Sequence, residues 1–134
     1  MKDRIYQAIK KSNYKKRSLH ALAKTMNMTS TNEFQDLTKA LNELERERRI
    51  FRDKSGIYHD ILNNQFAIGE LDLKHQGYGF LVLENQPDIY IPQGKTASAM
   101  DGDLCLVEIT RRKSKLKTEG KIVKILERKM KYII

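Results

Sequence analysis

A single cysteine, Cys105, stands in this chain of 134 residues, so no internal disulfide can form and a disulfide-stapled scaffold is excluded. Long apolar runs are missing too. The longest, Phe80–Leu83 and Leu104–Val107, are four residues each, far short of the roughly 20 that a membrane-spanning helix needs. The opening M-K-D-R-I-Y-Q-A-I-K-K has no apolar core of the secretory kind. Acidic side chains are scarce, 17 against 26 lysines and arginines, which leaves a formal net charge of +9. These shortages point to a reducing, cytoplasmic setting, no membrane partner and a polyanion as ligand.

Catalytic and metal motifs are absent in the same way. His20, His59 and His75 are scattered, with no cysteine or carboxylate at ligand spacing, so no metal or cofactor is expected in this segment. Gly94-Lys95-Thr96 has Ile89 where a phosphate loop needs its first glycine. Cys105 lies in an apolar stretch with no basic neighbour to activate it, and a buried thiol is the expectation. No serine–histidine or paired-carboxylate arrangement can be built from these residues. A chain without catalytic residues should be inactive alone.

The period of the hydrophobic residues changes near residue 50. Before it the spacing is helical. Ile5, Tyr6 and Ile9 mark one helix; Ser18 caps a second, with Leu19, Leu22, Ala23 and Met26. Ser30 and Glu33 form a capping box for a third, striped by Phe34, Leu37, Leu41 and Leu44. Ile50–Arg52 and Ile57–His59 flank a D-K-S-G turn and read as a hairpin. Three helices and a hairpin make a winged helix-turn-helix. From Phe66 the pattern is β, with strands expected near 66–74, 78–84, 88–92, 103–111 and 119–128 and turns between them. The expected fold is therefore α+β in two small domains: residues 1–62 a winged helix, and residues 65–134 a five-stranded OB-type barrel. A polar joint around Asn63–Gln65 separates them, and Gly94–Met100 is expected as a loop with a helical turn.

Alternation along Gln76–Leu83 puts Tyr78, Phe80 and Val82 on one strand face and Gly79, Leu81 and Leu83 on the other. In Ile89–Pro92, Tyr90 takes the side opposite Ile89 and Ile91. Two neighbouring strands can thus bury aliphatic faces while showing Tyr78, Phe80 and Tyr90 outward. In so basic a chain such rings suit stacking with nucleic-acid bases. Arg111, Arg112 and Lys113, with Lys115 and Lys117, are placed in the loop before the last strand, beside the binding face of such a barrel. On the third helix Gln35, Lys39, Asn42 and Arg46 lie within about 60° of one another and form a candidate recognition face. Lys15, Lys16, Arg17, Arg52 and Lys54 are candidate phosphate contacts.

Gln76-Gly77-Tyr78-Gly79-Phe80-Leu81 resembles the first ribonucleoprotein motif of cold-shock domains, with Gln76 where a lysine is usual. Ile89-Tyr90-Ile91-Pro92 resembles the second, with Pro92 in place of a histidine. The whole order resembles the N-terminal region of the ribonuclease R branch of the ribonuclease II/R family. The shared features are the GYGF stretch at Gly77–Phe80, the aspartate-led strand at Asp88–Ile91, the A-x-x-G-D turn at Ala99–Asp103 and the closing strand at Glu119–Arg128.

That resemblance implies an excised N-terminal segment of a hydrolytic 3′-to-5′ exoribonuclease that releases nucleoside 5′-monophosphates. Magnesium would belong to a catalytic domain absent from this chain. Tyr78, Phe80, Tyr90, Gln76, Arg111, Arg112, Lys113, Lys39 and Arg46 are the expected RNA contacts. Single-stranded RNA is the preferred partner, structured RNA is reached through the winged helix, and the chain is expected to be a monomer. Two other readings stay open: a free-standing RNA chaperone similar to cold-shock proteins, and a winged-helix regulator of transcription reading DNA.

Overall fold

The computed structural model describes residues 1–114 and 117–129, and the chain divides into two compact units, Met1–Asn63 and Asn64–Ile134. The first holds α1 (Lys2–Lys11), a short 3-10 turn at Tyr14–Lys16, α2 (Leu19–Thr25), α3 (Thr31–Arg46) and a hairpin of β1 (Ile50–Arg52) and β2 (Tyr58–Asp60). The caps are those the sequence predicts. The Ser18 hydroxyl accepts from the Ala21 N–H, and Ser30 and Glu33 bond each other's backbone N–H groups in a complete capping box. Each cap satisfies donors that the first helical turn leaves unpaired. Ile5, Ile9, Leu22, Leu37, Leu41 and Leu44 are fully buried together, each contributing about 1.5–3 kcal/mol of transfer free energy.

Two polar contacts tie the hairpin down. The Asp53 carboxylate accepts from the N–H groups of Ser55 and Ile57 and lies 2.8 Å from His59 Nε2. The Tyr6 hydroxyl donates to Asp60 Oδ1 at 2.7 Å and so joins α1 to β2. Burial, with Asp60 alongside, pushes the Tyr6 phenol up to about 12.

In the second unit β3 (Phe66–Leu73), β4 (Gly79–Val82), β5 (Ile89–Ile91), β6 (Leu104–Ser114) and β7 (Lys117–Glu127) form a closed barrel in the order β3-β4-β5-β7-β6. β3 bends so that its first half pairs with β6 and its second with β4. The neighbours are antiparallel except β5 and β7, which run parallel through Tyr90 and Glu119. Leu71, Leu81, Ile89, Ile91, Cys105, Val107 and Ile122 fill the interior. This is the expected α+β architecture, three helices and a hairpin followed by an OB barrel.

The structure corrects the sequence reading in two places. Arg111, Arg112 and Lys113 belong to β6 and not to a loop, because β6 and β7 continue as a two-stranded ribbon to Ser114 and Lys117. The side chains of these three residues are exposed, so the ribbon has no apolar alternation to mark it as a strand. Lys115 lies outside the described residues. Gly94–Met100 forms turns and no helix, held by Lys95 N–H to Pro92 O, Ala99 N–H to Thr96 O and Ile122 N–H to Lys95 O.

Asp103 is a buried charge among the described residues of the barrel, 2% exposed. It accepts from the N–H groups of Met100 and Lys129 and from the Arg128 guanidinium at 2.9–3.1 Å. Burial alone would raise its carboxyl pKa, but these donors outweigh it and hold the pKa below the ordinary 3.8. A depressed folded-state value means that the contribution to stability is complete above the unfolded value and is lost as pH falls through the folded one. Thermal melting followed from pH 5 to pH 2 should therefore show the barrel weakening below about pH 4. Asp103→Asn should flatten that acid slope. An unchanged slope in the variant would move its origin to another carboxylate.

Candidate nucleic-acid interface

β4 and β5 are neighbours in antiparallel register, with Phe80 directly opposite Tyr90. Their inward residues Leu81, Ile89 and Ile91 are buried, so Phe80 and Tyr90 are turned to the outer face, where both are half-buried. Tyr78 joins them from just before β4. The ring centroids form a near-equilateral triangle of 5.7, 5.9 and 6.0 Å, with the Tyr78 and Phe80 planes 85° apart and Tyr90 tilted 51–52° to each. One edge-on and two tilted contacts of this kind are favourable aromatic geometries that hold the rings against one another.

The turn ahead of β4 is set by glycine. Gly77 has a φ of +96°, and the turn closes with Gly77 N–H to Lys74 O and Lys74 N–H to Tyr78 O at 3.0 and 2.9 Å. Gln76 is exposed at its tip, next to Tyr78. A side chain on Gly77 would press on Gln93 at 3.3 Å, so the Gln93 amide lies beside the same turn.

Cations surround the rings unevenly. Lys74 Nζ stands 6.0 Å from the Phe80 ring centroid and 3.1 Å from Asp72 Oδ2, and its pKa is raised by that carboxylate. Arg111 is the register partner of Glu119, which is itself paired with Tyr90, and Lys113 Nζ approaches Glu119 at 3.7 Å. The structure thus brings Tyr78, Phe80, Tyr90, Gln76, Arg111 and Lys113 into one unit of sheet. Arg112 has another contact: its guanidinium donates to the Asn64 carbonyl. Lys39 and Arg46, with Gln35 and Asn42, are exposed on α3 of the first unit.

Sequence reasoning missed Lys74, Asp72 and Glu119. The places of Asp72 and Glu119 follow from cross-strand register, which no local pattern carries, while Lys74 stands just past the end of β3, in the turn before the aromatic strand.

Other chemistry has no comparable setting. The Cys105 thiol is buried, and that burial pushes its pKa up to about 11, the reverse of an activated nucleophile. No group of three or more His, Cys, Asp and Glu able to hold a metal occurs among the described residues. No helix among them is long and apolar enough to cross a membrane. A cleft of about 770 Å³ beside β3 and the end of β4 contains none of the three rings, and its charged lining is Glu70, Asp72, Glu84 and Asp101 with one lysine, Lys129, a net negative charge that disfavours phosphate.

Residues 69–125 match the family described as Ribonuclease B OB domain. Over 131 residues the chain is 29% identical to ribonuclease R of Thermotoga maritima, covering 97% of this chain and 18% of that protein. It is 30% identical over 130 residues to ribonuclease R of Aquifex aeolicus, with 96% and 18% covered. Ribonuclease R 1 of Lactococcus lactis is 24% identical over 137 residues, with 97% and 17% covered. The chain therefore spans under a fifth of the length of these relatives.

Proposed function

We propose, for a chain homologous to about 18% of ribonuclease R at its N-terminal end and carrying a ribonuclease B OB domain, that it binds single-stranded RNA and guides it toward a hydrolytic 3′-to-5′ exoribonuclease centre outside this sequence. The supporting observation is the triangle of Tyr78, Phe80 and Tyr90 on the outer face of the barrel. Bases stack on those rings, and Arg111, Lys113 and Lys74 neutralise the passing phosphates. Every base has a π-face, so the grip tolerates sequence and lets a strand slide. Magnesium and the bond-breaking chemistry belong to that other centre. In the first unit, the exposed Lys39 and Arg46 on α3 would touch the backbone of structured RNA.

Stacking and charge separate cleanly in titration. Tyr78→Ala, Phe80→Ala or Tyr90→Ala should each weaken binding of single-stranded RNA by about 1–3 kcal/mol, with little change in salt dependence. Arg111→Gln should instead flatten the salt slope by about 0.7, the value for one phosphate contact on a single strand. Affinities measured at several salt concentrations decide the matter. Aromatic variants that bind normally would remove the stacking surface from the proposal.

A further inference from the structure

The register of the barrel draws a row of residues across the aromatic face: Asp72 on β3, Phe80 on β4, Tyr90 on β5, Glu119 on β7 and Arg111 on β6. A carboxylate flanks the ring pair on each side. For a surface meant to meet a polyanion this is an unfavourable choice if charge alone mattered. Stability does not account for it either. The ion pairs that Asp72 makes with Lys74 and Glu119 with Lys113 are substantially exposed, and pairs of that kind add little.

We infer that Asp72 and Glu119 read the edges of bases stacked on Phe80 and Tyr90, favouring bases that carry an exocyclic amino group over uracil. The inference rests on the stacking proposal above. Directly opposed residues of an antiparallel pair, such as Asp72 and Phe80, have Cβ atoms only about 4.5–5.5 Å apart, and Glu119 is the parallel partner of Tyr90, so a base lying on either ring brings its edge toward the adjoining carboxylate. A carboxylate only accepts hydrogen bonds, at four lone-pair positions. One lysine leaves most of these open, and at 3.7 Å Lys113 sits beyond hydrogen-bonding distance of Glu119. Cytosine offers its N4 amine there. Uracil offers a single N–H between two carbonyl oxygens, which the carboxylate repels. The lysines stand beside the two carboxylates, and Lys74 lies between Asp72 and the Phe80 ring.

The test compares oligocytidine and oligouridine of about ten nucleotides, a length within the site sizes of such folds. The two bases are alike in size and differ in the groups at that edge. The intact chain should bind the cytidine oligomer about fivefold more tightly, a modest share of what a good base contact gives. Asp72→Asn and Glu119→Gln should each reduce the ratio, and the double variant should bring it close to one. A ratio of one in the intact chain, or a ratio unchanged in the double variant, overturns the inference. So does an equal gain by both oligomers in the variants, which would make the carboxylates simple repellents of phosphate. Phe80→Ala in the same assay keeps the two ideas apart. If it weakens both oligomers while the carboxylate variants change nothing, stacking stands and edge reading falls.

Discussion

Replacing Leu81 by alanine is expected to destabilise the barrel unit by about 2–5 kcal/mol, the range for emptying a leucine site in a close-packed core. Leu81 is fully buried and sits opposite Leu71 on β3 and Ile89 on β5. The side chains around it come from separate strands, so relaxation cannot fill the hole without moving the ladders. A domain of this length has about 4–10 kcal/mol of total stability, so the loss is a large fraction of the whole. The helical unit has its own buried set, from Ile5 to Tyr58, which shares no residue with the barrel set. Proton–nitrogen spectra of Leu81→Ala under mild urea should lose the resonances of residues 66–127 while those of α1 to α3 persist. Simultaneous loss of both sets would mean that the units fold as one.

Gly120→Val is expected to be nearly as damaging, about 3 kcal/mol, although valine is the better strand former. Gly120 is buried on β7, and a Cβ there would lie 2.4 Å from Val107 Cγ1 and 2.9 Å from the Glu108 carbonyl oxygen. A side chain can rotate away from the first clash, but the second is with backbone and is relieved only by parting β6 from β7. Glu119, the residue before it, carries the parallel pairing with Tyr90, so the distortion reaches the aromatic face directly. Urea midpoints would measure the loss, with Thr118→Val on the same strand as a control expected to change little. A stabilised Gly120→Val protein would show that β7 can shift outward at no cost.

Why the first of these sites is legible in sequence and the second is not illustrates a general boundary. Leu81 sits in an alternating run, and alternation on a half-buried strand reports its face; by the same signal Tyr78, Phe80 and Tyr90 could be placed outward and Ile89 and Ile91 inward. The capping box at Ser30 and Glu33 was legible because both partners lie within one helical turn. Gly120, Asp72 and Glu119 owe their importance to strands distant in the chain. The same holds for the Tyr6 bond to Asp60, which spans 54 residues. The extended ribbon through Arg111–Lys113 was hidden for another reason. With all three side chains exposed, its strands carry the composition of a solvated loop, and only backbone pairing makes them β.

The parallel pairing of β5 with β7 also bears on synthesis. Three barrel ladders join strands adjacent in the chain and can form as hairpins while translation proceeds. The seam through Tyr90 and Glu119, like the β3–β6 ladder, must wait for the later strands and for the entropic cost of closing the intervening loop. Tyr78, Phe80 and Tyr90 leave the ribosome well before Arg111, Lys113 and Glu119. A nascent chain therefore exposes its rings with Asp72 and Lys74 but without Arg111, Lys113 and Glu119, which complete the row. Ribosomes are surrounded by RNA, and this order of emergence keeps the proposed grip incomplete until the barrel has closed.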